Sequence, residues 1–534
     1  MPAIQPNSTI RLYTGIPLDS GYSDTLWFST LSDQTSFFMQ NTYLKRQFSQ
    51  QTYQRVNEGV FEASCSADEI YDVNYMAFQN SSYGNKWFYA FVTKVEYRNN
   101  SNAYVYFVID VLQTYLFDIQ REQCFIERQH TISDDLYEHL LPENLEIGEY
   151  MYDNYQKISA PLLNNYVIII MVSDVSTNVD GKIYDRVYSG AKLWVFPLTS
   201  GAITNINALL DNYRERPESI LTIYMTTAFN IGATAYNQLT DSGLELATNI
   251  HDGESGSISI GNYAPHQVSD FDGYTPTNKK VLSYPYNYLH VDNNSGSALA
   301  LRFEFFSSQN PNLYVEGNVL PPVQIKLSPK NYKFQDTNLA PSLGTEYLTL
   351  TSFPLCSWSY DSFRAWLAQN SIPVAIGVGG SVLAGLATIA TGGALAPVAI
   401  GVIGGTVASI GKQATEASIK ADPCRGDVQN GNLNYAVGRQ AFYVARARIT
   451  REYAIMIDKF FTMYGYKINN VALPNLHARP HFTYIKTIGF KCHGACPNDA
   501  IIKWQQIFDT GVTWWVDASE VGNYSVDNKP VSNT

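Results

Sequence analysis

Apolar and polar positions alternate in short runs through most of the first 365 residues, the period-two pattern of half-buried strands. Residues 87–97 (WFYAFVTKVEY) and 104–115 (YVYFVIDVLQTY) flank a polar RNNSNA linker and predict a hairpin. Further strands are predicted at 166–172, 192–196, 219–226 and 299–306, separated by Gly, Pro, Asn and Asp clusters such as VSTNVDGK and FDGYTPTNKK. No fixed-period repeat is visible, which weighs against a propeller or a solenoid. Over 434–466 apolar residues recur at mixed three- and four-residue spacing and predict one or more helices. Short strands return around 482–490, a helix is predicted from Asn498 to Phe508 behind Pro497, and the aromatic GVTWWV follows. The pattern predicts a mainly β, α+β chain of several domains.

One stretch breaks this pattern. Between Arg364 and Lys412 the chain runs 47 residues without Asp, Glu, Lys, Arg or His, and residues 372–411 read IPVAIGVGGSVLAGLATIATGGALAPVAIGVIGGTVASIG. As two helices, its halves 372–391 and 394–411 would each span about 27–30 Å, close to one hydrocarbon core. Gly392 and Gly393 are placed for the turn between them, and Ser371 and Pro373 for a helix start. Small residues at every fourth position (Gly377, Ser381, Gly385 and Gly401, Gly405, Ser409) would let two such helices approach closely in lipid. The residues expected to meet the hydrocarbon are Ile372, Val374, Ile376, Val378, Val382, Leu383, Leu386, Ile389, Leu395, Val398, Ile400, Val402, Ile403, Val407 and Ile410.

Magnitudes temper that expectation. The 15 Leu, Ile and Val residues contribute about 5–9 kcal/mol of insertion energy together. The ten glycines cost roughly 0.8–1 kcal/mol each in a helix, a comparable sum. The segment therefore reads as conditionally membrane-active, with several copies in an oligomer adding their insertion energies. The competing reading is a buried core hairpin at a large oligomer interface.

At 534 residues the chain is long enough for about three domains of roughly 150 residues. A net charge of -12 argues against a basic nucleic-acid-binding surface and suits a soluble surface or a channel wall that does not retain an acidic polymer. The N-terminal MPAIQPNSTIRLYTG shows no charged region followed by an apolar run, so no secretory signal is expected. Six cysteines are too few for a disulfide scaffold, and synthesis in a reducing cytosol is the simpler expectation. The 38 Tyr, 26 Phe and 8 Trp again favour strands, where aromatic side chains pack across a sheet.

Candidate chemistry is sparse. The Gly411-Lys412 pair fails as a phosphate loop, because position 406 is Thr and position 413 is Gln. No GxGxxG follows a strand, and neither HExxH nor GxSxG occurs. The paired Asp134 and Asp135 read as solvated loop charges. His477, His481, Cys492 and Cys496 could form a tetrahedral zinc site, with loop histidines and reduced thiols as the simpler reading. No cofactor or catalytic residue is expected, and the chain reads as no enzyme.

Several passages together resemble one family. They are LDSGYSDTLWFSTLSDQTSFF (18–38), VNYMAFQNSSYGNKWFYAFVTKVEY (73–97), DVLQTYLFDI (110–119), HTISDDLYEHLLPENLEIGEY (130–150), IDKFFTMYGYKINN (457–470) and PNLHARPHFTYIKT (474–487), with CPNDAIIKWQQIFDTGVTWW near the end. The chain is similar in these to the tail knob, or distal tail tube, proteins of small short-tailed phages of the Picovirinae type. The middle, about 172–360, matches least, and CHGAC (492–496) departs from the family pattern.

The resemblance implies a virion tail protein assembling as a homo-hexameric, β-rich ring or tube, through which genome DNA leaves without sequence-specific binding. It implies a long hydrophobic loop that plugs the tube and inserts in the host cytoplasmic membrane during entry, and upper collar, lower collar and tail-tip proteins as neighbours. The expected regions are 1–155 (N-terminal, β, tube-forming), 156–365 (central, β-rich, distal), 366–412 (hydrophobic membrane-active loop) and 413–534 (C-terminal, α+β, completing the tube). The alternatives are a pore-forming, toxin-like oligomer, which needs only the apolar insert, and a tail-associated cell-wall hydrolase, which needs a catalytic constellation.

Overall fold

The computed structural model describes residues 7–51, 59–81, 84–135, 138–158, 162, 165–173, 182–184, 187–189, 191–246, 257–260, 267–293, 296–307, 311–319, 323–333, 346–350, 356–358, 360–361, 363–364, 367 and 441–530. Strands predominate, with a smaller share of helix. The chain forms two compact units, and each is assembled from separated segments. The first comprises Met1–Ile147, Asp270–Leu282 and Arg451–Thr534; the second comprises Gly148–Ser269 and Ser283–Thr450.

In the first unit a six-stranded antiparallel sheet runs in the order Leu44–Gln51, Ser8–Tyr13, Tyr75–Asn80, Trp87–Asn99, Asn102–Ile109, Val60–Ala63. Alternation sends Tyr13, Tyr75, Tyr89 and Phe91 into one core, and Leu12, Met76 and Ala90 into another on the opposite face. The first core also takes Phe38 from the helix Leu31–Met39, and Trp504 and Phe508 from the helix Asn498–Thr510. Leu31–Met39 starts at a capping box, in which Thr30 and Asp33 each satisfy the other's backbone N–H. A second sheet brings the two ends of the chain together, in the order Asp24–Leu26, Val512–Trp515, Phe482–Ile488, Cys124–Gln129, Tyr466–Ala472.

Among its described residues the second unit holds three sheets of four, five and four strands and a two-stranded ribbon. Its central strand, Tyr166–Ser173 (YVIIIMVS), is apolar without interruption because both faces are covered. Val167 and Ile169 enter a core shared by the three sheets, while Ile168, Ile170 and Val172 face the helix Ser200–Asn212.

The expected hairpin forms as Trp87–Asn99 with Asn102–Ile109. Three sequence expectations are corrected. The strand from 104 ends at Ile109, because the Asp110 carboxylate accepts hydrogen bonds from the N–H groups of Leu112 and Gln113 and starts the helix Val111–Tyr115. The strand expected over 299–306 is Ala298–Leu301 followed by a 3-10 turn at Phe303–Phe305. The described part of 434–466 is not all helix: Phe442–Arg448 is a strand inside a four-stranded sheet, and only Arg451–Tyr464 is helical. An interior strand buries residues on both faces, so its apolar positions run together and mimic helical spacing.

Candidate functional site

The apolar run expected to enter lipid, with all of its hydrocarbon-facing and small residues from Ile372 to Gly411, lies outside the described residues. The nearest described residues are Leu367 before it and Ala441 after it, and both belong to the second unit. On the N-terminal side Phe363 and Leu367 are buried against the core that covers the helix Ser200–Asn212. Arg364, the last charge before the run, donates to the Tyr360 hydroxyl at 2.7 Å and pairs with Asp211 at 2.9 Å. Tyr360 in turn donates to the Leu210 carbonyl at 3.2 Å.

On the C-terminal side the chain enters the strand Phe442–Arg448, which pairs with Met151–Ile158 on one side and Asn287–Asp292 on the other. Phe442 and Val444 point into the shared core. Tyr443 points the other way and stacks on Tyr155, with ring centroids 5.3 Å apart and planes at 13°. Tyr152 meets His290 edge to face on the same sheet. Further along, Arg446 and Arg448 share the Asp153 carboxylate. Burial works against that charge, yet the two guanidinium groups hold the carboxyl below its usual range. The nearest described points before and after the run are thus both firmly held, one by buried side chains and an ion pair, the other by a central strand.

The four residues considered for zinc are not gathered into a metal centre. His477 stacks on the Trp27 ring at 4.0 Å, and His481 pairs with Glu520 through Nδ1 at 2.8 Å. Cys492 and Cys496 pack against the aromatic core of the first unit, and the intervening His493 meets Glu122 and Gln120 instead. Among the described residues no group of three or more His, Cys, Asp and Glu is placed to hold a metal ion. No described helix is long and apolar enough to cross a membrane.

Sequence reading missed a buried polar network in the first unit. Glu143 accepts from both Arg128 and Lys280, and also from the Lys467 N–H at 3.0 Å. Lys280 is 3% exposed, and burial pulls its ammonium below the usual range against the favourable pull of Glu143. Asp458, on the buried face of the helix Arg451–Tyr464, accepts from the Tyr274 hydroxyl, the N–H groups of Thr277 and Asn278, and the Asn278 amide, at 2.6–2.8 Å. These bonds hold the segment 270–282 within the first unit. Asp134 is corrected: it is no solvated loop charge but the partner of the buried Arg479 at 2.7 Å, with Tyr466 donating to it at 2.9 Å. An acidic residue at an apolar helix position, as at Asp458, was the one available signal.

Comparison with known proteins places this fold. Residues 247–529, just over half of the chain, match the C-terminal domain of the Bacillus phage phi29 tail knob protein gp9, and residues 6–121 match the N-terminus of the caudoviral major tail protein. The tail knob protein gp9 of Bacillus phage PZA is 26% identical, with 98% of each chain covered, and that of Bacillus phage phi29 is 25% identical over the same shares. The solved tail knob protein gp12 of bacteriophage C1 has the same fold, with a TM-score of 0.51 at 15% identity over 98% of this chain and 99% of that one. These relatives are named as structural tail proteins, not as enzymes. The chain belongs to the tail knob protein family of phi29-like phages and is a structural component of the virion tail.

Proposed function

We propose that the protein forms the distal tube of a short phage tail as a homo-hexamer. In this reading its apolar segment 372–411 plugs the tube, then inserts in the host cytoplasmic membrane to open a channel for the genome. The observation that carries the reading is the uncharged run of 47 residues in a chain that is otherwise polar and acidic. Its energetics favour insertion on demand over permanent anchoring, and six copies released together multiply a marginal gain per copy. The anchoring of Phe363, Leu367 and Phe442 in packed cores supports it, since a segment that transfers between environments needs fixed roots.

In this reading residues 1–155 and 413–534 build the tube wall, and 156–365 form the distal region. The neighbours are the collar proteins above and the tail tip below. DNA passes without sequence-specific contacts, which the net charge of -12 favours by limiting Lys and Arg contacts with phosphate. Negative-stain imaging of the purified chain tests the assembly. A six-fold tube is expected, and a field of monomers, or rings that appear only on lipid as for a toxin-like pore, would overturn it.

A further inference from the structure

The separation of the four metal candidates leaves a thiol pair with no assigned role. Cys492 opens the strand Cys492–Gly494, which runs antiparallel to Ile119–Arg121. Cys496 stands four residues on, beside Pro497, the N-cap of the helix Asn498–Thr510. Four residues of extended chain would hold the two Cα atoms about 13 Å apart. A disulfide needs them within roughly 4.4–6.8 Å. The chain does not stay extended here, because it bends at Ala495 and Cys496 before the helix begins. Gly494 permits the close approach that precedes the bend, since a Cβ there would lie 2.3 Å from the Asp118 carbonyl oxygen.

Both thiols are free and both lie half-buried against the same aromatic core. Cys65 and Cys124 are buried, so a soluble reagent meets the pair first among these four. Burial, and after it the neighbouring Cys496, pushes the Cys492 thiol up to about 11, which makes the pair slow to react at neutral pH.

We propose that Cys492 and Cys496 form a reversible intrachain disulfide by exchange with a small-molecule disulfide such as oxidised glutathione. One cysteine thiolate attacks a glutathione sulfur, forming a mixed disulfide and releasing one glutathione thiolate, which takes up the proton lost by the cysteine. The second cysteine thiolate then attacks the first cysteine's sulfur and displaces the other glutathione. Two cysteine thiols are oxidised, and one glutathione disulfide is reduced to two glutathione molecules. The bridge staples the strand Cys492–Gly494 to the start of the helix Asn498–Thr510. It stays open where reduced thiols prevail and closes outside them.

The full-length folded protein, incubated with oxidised glutathione near pH ~8.5 and then alkylated, tests this in one tryptic peptide, residues 492–503, which contains both cysteines. The expected peptide carries no alkyl group and is two hydrogens lighter than the dithiol, and dithiothreitol restores two alkylation sites. The Cys496→Ser variant is expected to stop at a glutathione adduct on Cys492. Two alkyl groups on the oxidised wild-type peptide, a separate glutathione on each cysteine, or a cross-link to a different cysteine would overturn the proposal. So would a bridge that forms only in urea.

Discussion

The Glu143 carboxylate, 1% exposed, answers two cations at once, and that arrangement makes its removal costly. A buried pair adds little net stability over an apolar replacement, but breaking it strands an uncompensated charge. Glu143→Gln leaves Lys280 and Arg128 facing a neutral amide, and a loss of about 3–5 kcal/mol is expected in urea unfolding monitored by tryptophan fluorescence. A second change, Lys280→Met, should recover part of that loss. A change under about 1 kcal/mol for Glu143→Gln would show that the network carries little.

His130 offers a test in pH. Its Nε2 lies 3.0 Å from the Thr462 carbonyl, and its Nδ1 accepts from the Tyr484 N–H at 2.9 Å. A backbone donor aimed at Nδ1 forbids a proton there, and burial, with Arg479 nearby, holds the imidazole down to about 3. The unfolded chain takes up that proton near pH ~6.5. Stability is therefore flat above that point and falls by about 1.4 kcal/mol per pH unit as the pH drops from there toward the folded value. His130→Gln should lower stability at pH 7 yet show a shallower decline between pH ~6 and ~4 in urea midpoints. An unchanged slope would contradict the assignment.

At the scale of elements, the helix Arg451–Tyr464 and its exit are the most tightly specified. Ala454, Ile457, Asp458 and Phe461 form its buried stripe at helical spacing. Gly465 follows at φ +65°, its N–H bonded to the Phe461 carbonyl, and a Cβ there would lie 2.4 Å from the Gln129 carbonyl. Gly465→Ala should cost at least about 1–3 kcal/mol, measured as a drop in the thermal midpoint. The same change at Gly489, also at positive φ but with nothing near its Cβ, should cost less.

The same elements mark what was legible in the sequence. Alternation revealed the hairpin Trp87–Asn99 with Asn102–Ile109, and Pro497 announced the helix Asn498–Thr510, because local spacing and capping act locally. Phe442–Arg448 was misread as helix, since which neighbours cover a strand is decided by chain hundreds of residues away. The return of 270–282 to the first unit left no local mark either: it rests on Asp458, 180 residues from Asn278. The apolar run was plain from composition alone, and its two roots emerged only from tertiary contacts.

At the scale of the whole molecule, a tail knob fold carries one uncharged, apolar segment in a chain that is otherwise polar and acidic. The family membership rests on resemblance along nearly the whole chain, and the membrane role rests on the segment's composition. Deleting 372–411 should therefore leave the two units folded, with the circular dichroism and thermal midpoint of the wild type nearly unchanged. The most direct measurement is leakage of dye-loaded liposomes exposed to purified full-length protein and to the chain lacking residues 372–411. Release by the full-length protein and none by the deletion is the expected result. Equal release by both, or none by either across conditions that trigger genome release from virions, would contradict the account.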